Sequence, residues 1–189
     1  MMNIFYEPFP DAVIVDGECY GILTDFREWL RFGDLLADME VDGSIKVLLM
    51  TEWLEDPPEL VTENLIRELL AFFRADALSA TPKEEDGEEP SHPPWFDVKT
   101  DARWIAGDFL HYYGIDLLGT DYMHWWKFCA LLTALPDDSM TMKRVAYRGT
   151  NLSDIKNPDE RRRIARIQRQ IAIPFRMDDD MIGAVLWDS

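Results

Sequence analysis

The spacing of apolar residues changes several times along the chain. Ala12-Val-Ile-Val15 and Glu18-Cys-Tyr-Gly-Ile22 are short apolar-rich runs parted by Asp16-Gly17. An Asp-Gly pair in that place predicts a two-residue hairpin, because both turn positions need positive φ. After Thr24, which is placed to cap, the period lengthens to 3.6. Phe26, Trp29, Leu30 and Phe32–Gly33 then share one side of a helix beginning at Asp25. A second helix is predicted from Ile45 to Leu54. For a third, Asp56 is placed to cap, Pro57 to sit at the first helical position and Glu59 to complete a capping box. Val61, Leu65, Leu69 and Phe72–Phe73 continue it as an apolar stripe, expected to pack on the first two helices.

The pattern then breaks. Thr81 to Pro94 holds four prolines, one glycine and five acids, with no apolar side chain besides proline. Burial cannot recover the ordering entropy of such a stretch, so 77–98 reads as an acidic, proline-rich linker. Beyond it, Thr100 or Asp101 opens a helix carrying Trp104, Ile105, Phe109 and Tyr112, with Gly114 placed to end it. Asp121 to Leu135 is apolar nearly all round and predicts a central buried helix stopped by Pro136. Ser139 can cap a helix through Tyr147, and Asn157-Pro158-Asp159-Glu160 starts a last long one that ends before Pro174. The fold class expected is mainly α, a helical bundle with a small N-terminal β-hairpin. Residues 1–76 and 99–176 are expected to pack as one unit, with 177–189 as a tail.

Composition narrows the functions available. The 189 residues include 47% hydrophobic and 12% aromatic side chains, ample for a core. Acids outnumber bases by 36 to 19, a net charge of −17, which argues against a nucleic-acid or anionic-membrane binder. The N-terminus lacks the basic and long apolar regions of a Sec signal. The longest apolar run, Trp125 to Leu135, is shorter than the about 20 residues a spanning helix needs. With only Cys19 and Cys129, reduced intracellular thiols are expected.

Candidate chemistry is sparse. His111 and His124 lie on successive predicted elements near Asp108, Asp116 and Asp121, but their spacing matches no ligand pattern, and neither HExxH nor CxxC occurs. Structural or surface roles are expected for both, with no metal and no cofactor; a small metal-dependent enzyme using them is the enzymatic alternative. His92 falls in the linker and is expected to be solvated. Cys129 sits in the apolar helix, where a thiol is usually inert, and Cys19 follows the hairpin turn with acidic neighbours. No nucleophile elbow or phosphate-binding loop is present. The expectation is a protein that is not an enzyme.

Charge is unevenly spread. Thr141 to Arg176 carries ten bases and three acids, +7, against −24 for the remainder. On the last helix Arg162, Arg166 and Arg169 lie opposite the stripe Ile164, Ile167, Ile171. That face is either simply solvated or docks onto an acidic surface, from this chain's own linker or from a neighbouring copy; nucleic-acid contact is least compatible with the overall charge. Trp125 and Trp126 point about 100° apart on a helix, so both are buried only where other elements surround it. An exposed member of the pair would instead be an interface anchor. These two tryptophans and three arginines are the candidate partner-binding residues.

Several strings together resemble the bacteriophage gene-product-fifteen family: Tyr113-Gly-Ile-Asp116, Met123-His-Trp-Trp-Lys-Phe128, Ala130-Leu-Leu132 and Leu135-Pro136. Thr24-Asp-Phe-Arg27 and the arginine-rich helix after Leu152-Ser-Asp-Ile-Lys156 are similar as well. The resemblance implies a protein of tailed phages and prophages whose gene stands just ahead of the tape-measure gene. It further implies a tail assembly chaperone acting on the tape-measure protein in the host cytoplasm, alone, as a homo-oligomer, or with a frameshift-related partner chain. The alternative it leaves is a structural tail or neck component. It supplies no catalytic residues.

Overall fold

The computed structural model describes residues 3–78 and 96–173. Most of the expected linker and the whole expected tail lie outside the described residues. The described fold is mainly α, with seven α-helices and one antiparallel hairpin, as the periodicity predicts. The chain divides into two compact units. Among the described residues, the first takes in the N-terminal part together with Asp121–Ala130; the second takes in 96–120 and 131–173.

In the first unit β1 (Ala12–Val15) pairs with β2 (Glu18–Gly21), Val15 standing opposite Glu18. Asp16 and Gly17 take φ values of 53° and 89°, the two positive angles the tight turn requires. Helix α1 (Phe26–Ala37) starts one residue beyond the expected position. Its cap is Asp25, whose carboxylate accepts from the Arg27 amide at 3.0 Å, while the Thr24 hydroxyl pairs with that of Tyr122 at 2.8 Å. A charged acceptor at the positive end of a helix displaces the neighbouring hydroxyl from that role. Helix α2 (Gly43–Met50) is capped by Asp42 and runs into a 3₁₀ turn ending at Trp53.

The expected start of the third helix is corrected. Residues 57–61 are not helical, and α3 (Glu63–Arg74) is capped by Thr62, whose hydroxyl accepts from the Leu65 amide at 3.2 Å. Pro58 disfavours helical backbone at Pro57, so the capping-box pattern there goes unused. The stripe itself packs as expected: Leu65, Leu69 and Phe72 are buried. Trp29 lies 4.5 Å from Phe72 and 5.0 Å from Phe32, ring centre to ring centre, within the range where aromatic pairs add to their area burial.

A second correction concerns the segment from Asp121. Only Trp125–Thr133 is helical (α5). The residues before it lie extended beside the entry to α1: the Phe26 amide donates to the Met123 carbonyl at 2.8 Å and the Trp125 amide to the Thr24 carbonyl at 2.7 Å. The Met123 amide reaches the Asp25 carboxylate at 3.1 Å. Backbone pairing with a distant stretch outweighs the local helical pattern.

In the second unit α4 (Val98–Asp108) is capped by Asp97 and continues into a π-helical turn, Phe109–Tyr113, which Gly114 ends with φ of 67°. Ser139 caps α6 (Met140–Gly149), and Asn157 caps α7 (Pro158–Ile171), both as predicted. The interior is unlike the aromatic one above. Asp101 is fully buried and accepts from Arg148 Nη1 at 2.6 Å, Arg148 Nη2 at 2.8 Å and Arg144 Nε at 2.8 Å. Asp108, two turns along the same face of α4, accepts from the Met140 and Thr141 amides at 3.1 and 2.7 Å. It thereby satisfies orphan donors at the start of α6.

Candidate partner-binding surface

Of the groups that could carry chemistry, His124 and Cys129 are held inside the fold and His111 is not. Among the described residues no cluster of three or more His, Cys, Asp or Glu is placed to hold a metal ion. His111 is exposed on the π-helical turn, while His124 is buried in the first unit. The Trp126 amide donates to His124 Nδ1 at 3.0 Å, so the proton sits on Nε2, which donates to the Pro10 carbonyl at 3.0 Å. Burial holds the His124 pKa below 6.5, favouring this neutral form. Burial likewise pushes the Cys129 thiol up to about 12, where thiolate is negligible at neutral pH.

The tryptophan pair has a clear local reason. Trp125 Nε1 donates to the Phe73 carbonyl and Trp126 Nε1 to the Phe72 carbonyl, each at 2.8 Å. Those carbonyls belong to the last turn of α3, beyond the reach of its regular i to i+4 bonding; the Phe72 carbonyl also accepts from the Ala75 amide at 3.0 Å. Just beyond, Ala75 closes α3 in the left-handed region with φ of 53°. Adjacent indoles, splayed by the helical rotation, thus terminate a neighbouring helix. Both are buried, Trp125 at 6% and Trp126 at 5% exposed, which is the core-packing alternative for the pair rather than that of an exposed anchor.

The arginine face is placed differently. Arg162, Arg166 and Arg169 are all exposed on α7, and Ile164 on the opposite side is buried. Arg162 pairs with Asp159 at 2.7 Å, an exposed ion pair of the kind worth about 0–1 kcal/mol. The face is therefore accessible for docking without being committed to an internal partner network.

Sequence reasoning places a helix at Ile45 to Leu54, overlapping α2, but does not say which side of it turns inward. Its lysine, Lys46, is buried and donates to the Leu36 carbonyl at 2.6 Å, in the last turn of α1. Helix α1 has no base of its own there, and the negative end of its dipole favours a cation. Turning Lys46 inward turns Ile45 and Leu48 outward, where they are 50% and 63% exposed. An eight-residue helix with a central lysine reads as polar side out; only the unmet carbonyls of α1 could have signalled the reverse. Other large apolar side chains stand exposed as well, among them Leu60 in the first unit and Leu110, Leu118 and Met140 in the second.

No helix among the described residues is long and apolar enough to cross a membrane. No curated protein and no solved structure gives a significant match to the chain. Residues 5–173 match the family described as Bacteriophage Gp15 protein.

Proposed function

Because the chain belongs to the bacteriophage Gp15 family, we propose that it is a tail assembly chaperone that holds the tape-measure protein while the tail is built. The observation that carries this reading is the combination of family membership with exposed Ile45, Leu48, Leu110 and Met140 on a helical chain of net charge −17. Exposed aliphatic and methionine side chains suit the apolar stripe of a client helix, and high net charge keeps such a complex soluble. In this reading the protein acts in the host cytoplasm through protein contacts alone, makes and breaks no covalent bonds, and needs no cofactor. Self-association, or assembly with a frameshift-related chain, would multiply the weak contacts of a single copy.

The test is co-expression with the tape-measure protein encoded beside it. The expected result is a soluble tape-measure protein that co-purifies with this chain. Equal insolubility with and without the chain overturns the reading. Purified particles supply a second measurement: a chaperone is absent from them, whereas a fixed copy number there would make the chain a structural tail or neck component.

A further inference from the structure

We propose that the outward face of α2 is a docking site for an amphipathic helix carrying basic residues beside its apolar stripe. The proposal takes its client from the chaperone reading, but the chemistry of the face stands independently.

Three observations define the occupant. Ile45 and Leu48 are one helical turn apart on the same exposed side of α2, and Met39, in the loop ahead, is 47% exposed. This spacing matches the i, i+3 anchors by which helices recognise one another. Second, the chain from Asp34 to Asp56 contains seven acids, all exposed, and a single base. That base is Lys46, which is buried against α1 and contributes nothing to the surface. An apolar pair within so acidic a stretch of chain complements apolar residues flanked by lysine or arginine. Third, the same charge pattern rejects the simplest rival. A second copy presenting this face would set its acids against those of the first, a repulsive arrangement. Nor does α7 of another copy fit, because its isoleucine stripe is turned inward, with Ile164 8% exposed.

The probe is a fluorescent synthetic helix of about five turns, with leucines at i, i+3 and i+4 and lysines at the flanks, titrated against the full chain at physiological ionic strength. A peptide of identical composition and scrambled order reports plain attraction to an acidic protein. The ordered peptide is expected to bind more tightly, and the Ile45→Glu/Leu48→Glu variant to weaken it by about tenfold or more. The added carboxylates would strengthen mere charge attraction, so a loss identifies the apolar contact. Leu118→Glu, at an 86% exposed leucine in the second unit, is expected to leave binding unchanged. Should the double variant lose its helical circular dichroism, Leu48→Ser alone serves in its place. Unchanged binding in the α2 variant, an equal loss in Leu118→Glu, or wild-type self-association that the α2 variant abolishes would each overturn the proposal. Co-expression separates the two ideas. If the wild-type chain and the α2 variant solubilise the tape-measure protein equally, the surface is wrong and the chaperone survives. If neither does while the peptide still binds at α2, the chaperone falls and the surface stands.

Discussion

The first unit fills its interior with rings, Trp29 against Phe32 and Phe72, and Trp125 stacked on Phe73 at 5.6 Å. The second buries carboxylates instead, Asp101 between two arginines and Asp108 at the head of α6. An aromatic interior gains from area removed from water and tolerates small geometric errors. A buried ion cluster roughly breaks even when complete, because desolvation offsets attraction, and becomes costly when one member is removed. The first unit should therefore respond to lost volume, and the second to lost partners.

The comparison is tested most severely by one truncation in each unit. Phe32→Ala, at a fully buried ring, is expected to cost about 3–5 kcal/mol in denaturant unfolding. Asp101→Ala should cost a similar ~3–5 kcal/mol, although it removes far less volume, because it strands Arg148 and Arg144. Replacing all three members of the cluster by apolar residues of similar size should restore most of that loss. If Asp101→Ala is mild, the ionic account of the second unit is wrong.

Acid should separate the units. Burial lowers the His124 pKa from 6.5, so the unfolded chain binds the extra proton first. Its contribution is complete above pH 6.5 and is lost as pH falls through the depressed folded value. For Asp101 burial alone would raise the pKa, but the hydrogen bonds from Arg148 and Arg144 outweigh it and hold it below 3.8. That contribution is complete above pH 3.8 and disappears only on further acidification. Hydrogen exchange followed residue by residue should show the first unit loosening in mild acid before the second. His124→Gln should remove that early phase, and its persistence would contradict the assignment.

Two smaller substitutions sharpen the contrast. The buried Thr141 hydroxyl has no hydrogen-bond partner, so Thr141→Val should raise stability by about 1 kcal/mol. In the first unit Ala75→Gly should gain about 0.5–1 kcal/mol by relieving the left-handed backbone that closes α3. Thermal unfolding checks both.

What could be read ahead of the structure was local. Asp16-Gly17, Gly114, Ser139 and Asn157 act through φ or through an amide two or three residues away, and all four stand where the pattern puts them. What could not be read depended on a distant partner. Thr62 replaces Asp56 as a cap because two successive prolines hold the chain out of the helical region. The stretch before Trp125 leaves the helix for backbone bonds to residues 24–26, about a hundred positions away in sequence. Lys46 and Asp101 both look like solvent-facing helix positions, and each turns inward to meet a carbonyl or a guanidinium from another helix. The arginines of α7 were legible as an exposed face; the tryptophans required the open end of α3 to explain them.

The enclosure of Lys46 has a practical consequence. An ammonium held 6% exposed against a carbonyl is shielded from amine-acylating reagents, whereas the lysine side chains at 127 and 143 stand more open to solvent. Each acyl mark at position 46 would record one opening event of the N-terminal unit. Timed labelling read by mass spectrometry thus turns this side chain into an internal clock for how often α2 lifts away from α1.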